Sequence, residues 1–316
     1  MQVILAQSFG MCFGVRDALT LVENLPVPDQ VTIHGELVHN PQVLLQLKSR
    51  GYYSSSEQDR RELPVTPQVL ITAHGISDLE RQRLEAAGKT LIDTTCPLVR
   101  RAHTAASKLA DDGRHVIVIG KPGHVEVQGI IEDLDSYTVV EQAADVVTWP
   151  QARLGVICQT TTPPRIAAEI VFAIEHQNRH ADVRFVNTIC QPTLDRQLAV
   201  ELLCLEVDVV IVVGGANSNN TLQLVELARA CGCPAWQVNG PDELRDEWLQ
   251  GSSIVGLTAG TSTLDATLQA VHQRLLNWPT PQLAAAYLKS QIEPDPIQGT
   301  ADVCLDAQVN ASPSRI

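Results

Sequence analysis

The sequence predicts an α/β chain built of three pseudo-repeated small lobes, each a parallel sheet with its helices, set around one central site. Three observations predict it. Of the 316 residues 44% are hydrophobic but only 4% aromatic, and such an aliphatic core suits parallel strands covered by helices rather than an aromatic-rich sandwich. Short apolar runs alternate with helical patterns of about 10 to 15 residues, as βαβ units with right-handed crossovers require. The same layout of strand, cysteine-bearing turn and amphipathic helix then occurs three times.

The first copy starts at Val3 and turns at Cys12, the second starts at Lys89 and turns at Cys96, and the third starts at Val183 and turns at Cys190. The cysteines are 84 and 94 residues apart, and each is followed within six residues by an arginine: Arg16, Arg100 and Arg196. A second strand-to-helix turn follows in each copy, marked by His39, His124 and Ser218 at offsets of 27, 28 and 28 from the cysteines. A third turn carries His74, Thr160 and Ser262 at offsets of 62, 64 and 72. Nine strand-turn-helix units result. A period near 90 residues exceeds that of a solenoid, which favours a closed pseudo-threefold arrangement. Lobes are expected over residues 1–90, 91–182 and 183–278. A Pro-containing C-terminal tail follows over residues 279–316, its one periodic stretch a short helix from Gln282 to Gln291.

Charge and composition narrow the partners. With 36 acidic against 23 basic residues the net charge is −13, and no basic run exists to displace counterions from a phosphate backbone, so nucleic acid is excluded. No apolar run approaches the roughly 18 residues that span a bilayer, and an anionic membrane surface is disfavoured likewise. The first positive residue is Arg16, so the start does not read as a secretory signal. Cytoplasmic residence is the expectation, and in a reducing compartment eight cysteines read as buried thiols or metal ligands rather than a disulfide framework.

In parallel sheets ligands gather at the turns beyond the carboxyl ends of the strands. The three repeated cysteines therefore aim at one centre, each at a helix start whose partial positive charge favours thiolate. Three thiolates suit zinc with a further ligand, or an iron-sulfur cluster that keeps one iron open. The other five read as structural or neutral: Cys158 and Cys204 fall within apolar strand or helix patterns, Cys231 and Cys233 have no second pair at zinc-site spacing, and Cys304 lies in the tail. Around the centre His39, His74, His124, Thr160, Ser218, Asn220 and Ser262 form a ring of short donors at helix starts, which suits an anion with phosphate oxygens. His34, His103, His115, His176, His180 and His272 read as ordinary core or surface residues. Glu126 is the one carboxyl in the ring; away from water its pKa rises, making it a proton donor near neutrality.

At these residues the chain resembles the LytB family of 4-hydroxy-3-methylbut-2-enyl diphosphate reductases. The resemblance covers residues 1 to about 278. It rests on Met11-Cys12-Phe13-Gly14-Val15, Val38-His39-Asn40, Ala73-His74-Gly75, Asp93-Thr94-Thr95-Cys96-Pro97-Leu98-Val99, Gly123-His124-Val125-Glu126-Val127, Gln159-Thr160-Thr161, Thr188-Ile189-Cys190 and Asn217-Ser218-Asn219-Asn220. It implies one 4Fe-4S cluster on Cys12, Cys96 and Cys190, and a diphosphate held by His39, His74, His124, Thr160, Ser218, Asn219, Asn220 and Ser262. It implies proton relay by Glu126 with Thr160, electrons from a ferredoxin or flavodoxin, and isopentenyl and dimethylallyl diphosphates as products of the last step of the non-mevalonate pathway.

The chain departs from the family pattern at Val125, where proline is usual, at Gln191-Pro192, and at Asn219 in place of serine. No nucleotide fingerprint accompanies Gly214-Gly215. Two other readings share the same thiols. One is a divergent paralogue acting as an iron-sulfur redox sensor or binding protein, which would need the cysteines but neither Glu126 nor the anion ring. The other is a zinc-stabilised scaffold.

Overall fold

The structure is a computed structural model, described over residues 1–57 and 59–279. Residues Met1–Asn277 form one compact unit. The expected helix from Gln282 to Gln291, the tail around it and Cys304 lie outside the described residues.

In chain order the elements are β1 (Gln2–Leu5), α1 (Phe13–Glu23), β2 (Val31–His34), α2 (Pro41–Ser49), β3 (Tyr53–Ser54), β4 (Gln68–Ile71), α3 (Asp78–Ala86) and β5 (Thr90–Asp93). There follow α4 (Pro97–Asp111), β6 (His115–Ile119), α5 (Val125–Ile131), β7 (Tyr137–Val140), β8 (Arg153–Cys158), α6 (Pro164–Gln177) and β9 (Asp182–Val186). The last group is α7 (Gln191–Leu203), β10 (Val209–Val213), α8 (Asn219–Ala230), β11 (Ala235–Val238), α9 (Asp246–Leu249), β12 (Ile254–Ala259) and α10 (Asp265–Leu276). Among the described residues no helix is long and apolar enough to cross a membrane.

Three four-stranded sheets result, ordered β3-β2-β4-β5, β7-β6-β8-β9 and β11-β10-β12-β1. Every pairing is parallel. Each sheet thus repeats one topology, in which the first and third strands are neighbours whose connections leave in opposite directions. That switch point opens a crevice at the carboxyl ends of the strands. The central strands are aliphatic and buried on both faces, all five residues of β6 and of β10 included.

The sheets divide the chain one strand later than the boundaries after residues 90 and 182 suggest. β5 completes the first sheet by pairing with β4, and β9 completes the second by pairing with β8. β1 supplies the fourth strand of the third sheet. The strand before each cysteine therefore closes one lobe, while the helix after it covers the next. The α1 residues Ala18 and Val22 pack on Val31 and Ile33, and the α4 residues Ala102, Ala106 and Leu109 pack on Val116 and Val118. A sequence period cannot tell a strand that opens a module from one that closes its predecessor. The consequence matters for the site: each cysteine sits at a junction between two lobes, and the pairing of β1 with β12 closes the ring.

Nine of the strands lead into the helices expected from the sequence. The second strand of each lobe, β3, β7 and β11, was not anticipated; each is a short edge strand followed by a 3-10 turn rather than a long helix. Close packing of helix on sheet is secured at two glycines. A Cβ at Gly155 would lie 2.9 Å from Leu109 of α4, and one at Gly256 would lie 2.9 Å from Leu203 of α7. Both leucines are buried, and each contributes on the order of 2 kcal/mol by leaving water.

Candidate functional site

Cys12, Cys96 and Cys190 are the N-cap residues of α1, α4 and α7. The same hydrogen bond fixes each one. The cysteine N–H donates to the third-strand turn of the preceding sheet: Cys96 to Ala73 O at 3.1 Å, Cys190 to Thr160 O at 2.9 Å and Cys12 to Thr261 O at 3.1 Å. The turns carrying His74, Thr160 and Ser262 thus anchor the three cysteines through their backbone. The charges of Cys12 and Glu126 bear on both Cys96 and Cys190, so the three sulfurs and the carboxyl share one locality. Gly14 allows the approach, since a Cβ there would lie 2.6 Å from Cys96 Sγ.

Burial raises the Cys96 thiol, against backbone N–H groups of Leu98 and Val99 that favour its thiolate. Burial likewise pushes Cys190 up to about 11, against hydrogen bonds from Thr193, whose Oγ1 is 3.1 Å from the sulfur. Arg196 supplies a buried cation: its charge bears on Cys12 and Cys190, and its Nε donates to Gly10 O at 3.2 Å. Arg16 and Arg100, its counterparts in the repeat, are exposed and paired with Asp265 and Asp93. Half-buried thiols gathered at three helix starts beside a buried cation are a donor set for a thiophilic metal centre. Among the described residues no trio of His, Cys, Asp or Glu is placed to hold one metal ion.

Three histidines of the first two lobes meet. The rings of His39 and His74 stack at 4.5 Å between centroids, and His124 stands edge-on to both at 5.6 and 5.9 Å. Burial first, then the charges of His39, Lys121 and Arg60, hold His124 down to about 3. Burial and the same histidine neighbours hold His74 well below the ordinary value. His124 Nδ1 accepts from Glu126 N–H at 3.2 Å as the cap of α5, which assigns its ring proton to Nε2. His39 Nδ1 lies 2.9 Å from Glu36 Oε2. His39 Nε2 and His74 Nδ1 are buried without a hydrogen-bond partner, as is Asn220 Nδ2, whose Oδ1 accepts from Thr261 N–H at 3.0 Å. Buried polar atoms left open in this way are normally completed by a ligand or water.

The third lobe closes the ring. Ser262 Oγ donates to His39 O at 3.4 Å, and Asn40 Nδ2 donates to Ser262 O at 2.8 Å. Ser218 caps α8 by accepting from Thr221 N–H. It stands in a turn that abuts the first lobe, since a Cβ at Gly215 would lie 2.7 Å from His39 O. Asn219 differs from the expectation: its Nδ2 donates to Thr161 Oγ1 at 2.9 Å, and it lines a separate crevice of about 510 Å³ with Gln159 and Gln197. Its longer side chain reaches across to the second lobe instead of turning inward. Val125 and Pro192 are accommodated, Val125 as the first residue of α5 and Pro192 in the first turn of α7.

Glu126 is 2% exposed. Thr160 grips both its oxygens, N–H to Oε1 at 2.7 Å and Oγ1 to Oε2 at 2.9 Å. Burial pushes this carboxyl up to about 7 against those two bonds, so both protonation states are available near neutrality.

Four contributors escape a reading of the sequence. Arg60 enters from the loop after β3, its Nη2 3.2 Å from Thr72 Oγ1 and its Nε 2.8 Å from Glu57 Oε2. It fits because Gly35 has no Cβ, which would lie 2.5 Å from that Nε. Lys121 lines, with His39 and His124, a cavity of about 1350 Å³ between the first two lobes. Glu36 orients His39, and Thr193 orients Cys190. Of these only Glu36 carried a signal, three residues before His39. Among the histidines read as ordinary, His115 bonds Ser136 and Thr138 at 2.8 Å and His180 bonds Trp149 O at 2.9 Å, as core partners do.

Comparison with known proteins adds an independent line. Residues 3–276 match the family described as LytB protein. A 4-hydroxy-3-methylbut-2-enyl diphosphate reductase of Ralstonia nicotianae is 38% identical over 280 residues, 87% of this chain and 86% of its own. One of Aquifex aeolicus is 33% identical over 280 residues, 86% of this chain and 95% of its own. The E-1-hydroxy-2-methyl-but-2-enyl-4-diphosphate reductase structure from Plasmodium falciparum superposes with a TM-score of 0.80 at 25% identity, covering 92% of this chain and 99% of that one. A second structure, of the (E)-4-hydroxy-3-methyl-but-2-enyl diphosphate reductase that ends the non-mevalonate pathway, gives 0.61 at 32% identity over 87% and 99%.

Proposed function

The chain belongs to the LytB family, and from that premise we propose that it removes the hydroxyl of 4-hydroxy-3-methylbut-2-enyl diphosphate reductively, giving isopentenyl and dimethylallyl diphosphates. It is an oxidoreductase of the non-mevalonate pathway. The observation that carries the reading is a buried carboxyl, Glu126, poised near neutrality close to helix-start thiols and beside a cluster of three histidines, two of them with open ring nitrogens.

Cys12, Cys96 and Cys190 are the proposed ligands of one 4Fe-4S cluster. A cluster takes one thiolate per iron, so its ligands stand further apart than those of a single ion. A lone zinc would need them within one coordination shell, and the described residues offer no such group. When bound, the cluster supplies electrons one at a time and Lewis acidity at its open iron.

The protein's own groups do the rest. His39, His74, His124, Ser218, Asn220 and Ser262 are the proposed diphosphate ligands, with Asn219 acting through Thr161 to fix the turn. Loss of the hydroxyl as water consumes two protons and two electrons overall. Glu126 relays one proton to the leaving oxygen and the second to the allyl fragment, and Thr160 holds both carboxyl oxygens so that each proton leaves from a fixed place. Burial of the site excludes water from competing for it. The proposed electron donor is a ferredoxin or flavodoxin, and the proposed setting is the cytoplasm. The three lobes are proposed as the functional modules, with the tail after residue 278 outside them.

The test is an anaerobic assay of cluster-loaded protein with the diphosphate substrate and a chemical reductant. Formation of both isomeric products is expected. A protein that carries the cluster but leaves the substrate intact would instead be the redox sensor of the alternative reading.

A further inference from the structure

The fold gathers a second set of thiols far from the first. Cys204 is the C-cap of α7 and Cys231 the C-cap of α8, with Cys233 two residues on, just before β11. Both helices start at the central site, α7 after Cys190 and α8 after Ser218, and they pack side by side. Both must therefore end at the opposite pole of the third lobe. There Cys231 and Cys233 both lie close enough to act on the Cys204 thiol. Cys204 and Cys233 share one apolar cluster with Val200, Leu203 and Ala228. All three are free thiols, graded from exposed Cys231 through half-buried Cys204 to buried Cys233.

From the sequence Cys204 reads as core because it falls in an apolar pattern, and Cys231 and Cys233 read as structural because no second pair stands at metal spacing. The missing member is Cys204, 27 residues upstream and brought in by helix packing. Three converging thiols graded in exposure suit stepwise covalent chemistry, and the described residues place no trio to hold a single ion. We propose that Cys204, Cys231 and Cys233 form a thiol–disulfide exchange site for a low-molecular-weight disulfide, independent of the central thiols.

The exposed Cys231 thiolate attacks one sulfur of the incoming disulfide; the disulfide bond breaks and one small thiolate leaves, taking up a proton. Cys204 then gives up its proton and attacks the Cys231 sulfur, releasing the second small thiol. The two cysteines lose two electrons and the small disulfide gains them. Burial holds Cys204 up at about 12 and raises Cys233 as well, which leaves the first step to Cys231 and reserves the neighbour for resolution at high local concentration.

The experiment treats the cluster-loaded protein anaerobically with oxidised glutathione, blocks remaining thiols by alkylation and maps the peptides by mass spectrometry. A Cys204–Cys231 link, with loss of two alkylatable thiols per chain, is expected. In the C204S–C233S double variant the glutathione adduct should stay on Cys231, and in C231S the other two should remain alkylatable. A lasting adduct on Cys231 of the natural protein, or both thiols still free, overturns the proposal; a Cys231–Cys233 link overturns the role of Cys204. Visible absorbance and substrate turnover, followed in the same samples, report on the central site separately, so failure there leaves this result readable.

Discussion

Thr160 donates to both oxygens of Glu126, through its backbone N–H at 2.7 Å and its hydroxyl at 2.9 Å. Two bonds to one carboxylate favour the charged form, while burial favours the neutral one, and burial wins: the carboxyl stands at about 7. As the free enzyme's proton donor, Glu126 should make kcat/KM fall as pH rises through this value. Thr160→Val removes the hydroxyl bond and one source of support for the anion, so the fall should move to higher pH. Glu126→Gln should keep iron content and diphosphate affinity but lose about 10²- to 10⁴-fold in kcat. Turnover near that of the natural protein would assign the proton to another group.

The same shift has a signature in stability. Glu126 keeps its proton in the folded state up to about pH 7, whereas in the unfolded chain it releases it near 4.5. Between these values the folded state binds more protons, so this group's contribution is full below the unfolded pKa and is lost as pH rises through the folded one. The loss is of order 3 kcal/mol. Denaturant melts of the cluster-free protein at pH 5 and pH 8 should therefore show a difference that shrinks by about that amount in Glu126→Gln. An unchanged difference would mean that water reaches the carboxyl.

His39 faces Glu36 through Nδ1 and leaves Nε2 buried and open. With Nδ1 held by Glu36, Nε2 is the ring nitrogen left to meet an anion, and Glu36 fixes the ring toward it. Titration of inorganic diphosphate into the protein should show binding that Glu36→Gln weakens about tenfold, the order expected when a hydrogen bond involving a charged group is lost. An unchanged affinity in Glu36→Gln would place the anion away from His39.

Much of this site was open to sequence reasoning because its parts lie at turns of fixed spacing. Cys12, Cys96 and Cys190, the histidines and Glu126 are short side chains placed by their own backbone, and the backbone repeats. What stayed hidden depends on contacts between distant segments. Arg60 bears on His74 and His124 from the 3-10 turn after β3, through space left by Gly35, and the counterpart turns after β7 and β11 carry no arginine. The amide of Asn219 is claimed by Thr161 across a lobe boundary, which neither residue announces. The edge strands β3, β7 and β11 were read through because no helix of the expected length follows them. β5 was assigned to the wrong side of a boundary because only pairing with β4 shows which sheet it closes.

Gly14 packs the first turn of α1 against Cys96. The Cβ of a Gly14→Ala protein would lie 2.6 Å from Cys96 Sγ and 3.2 Å from Cys96 Cβ, closer than side chains tolerate, so the thiol must move out of its place between Cys12 and Cys190. Bound iron and visible absorbance should drop in parallel, while the far-ultraviolet circular dichroism stays that of the natural protein. Full iron loading in this variant would mean that the three sulfurs need not hold the arrangement described above.

Lys121 lines the cavity that leads to His39 and His124, and its charge contributes to holding the His124 pKa down. Its ammonium has no hydrogen-bond or ion-pair partner among the described residues. Of the other cations of the cavity wall, Arg60 is engaged with Glu57 and Arg83 with Glu80, whereas Arg61, like Lys121, has no ion-pair partner among the described residues. A protein of net charge −13 repels a polyanion at long range, so an unpaired cation at the mouth is what a diphosphate meets as attraction. Lys121→Ala should raise KM about two- to fivefold at low ionic strength, the range of an exposed charge pair worth ~0.4–1 kcal/mol, with kcat unchanged because the side chain stands outside the reacting centre. The difference should fade as salt shortens the screening length to roughly 8 Å near physiological strength and less above it. Lys121→Glu should raise KM further than Ala does, with the same salt dependence. If both variants keep the KM of the natural protein at low salt, the substrate enters by a route that Lys121 does not line.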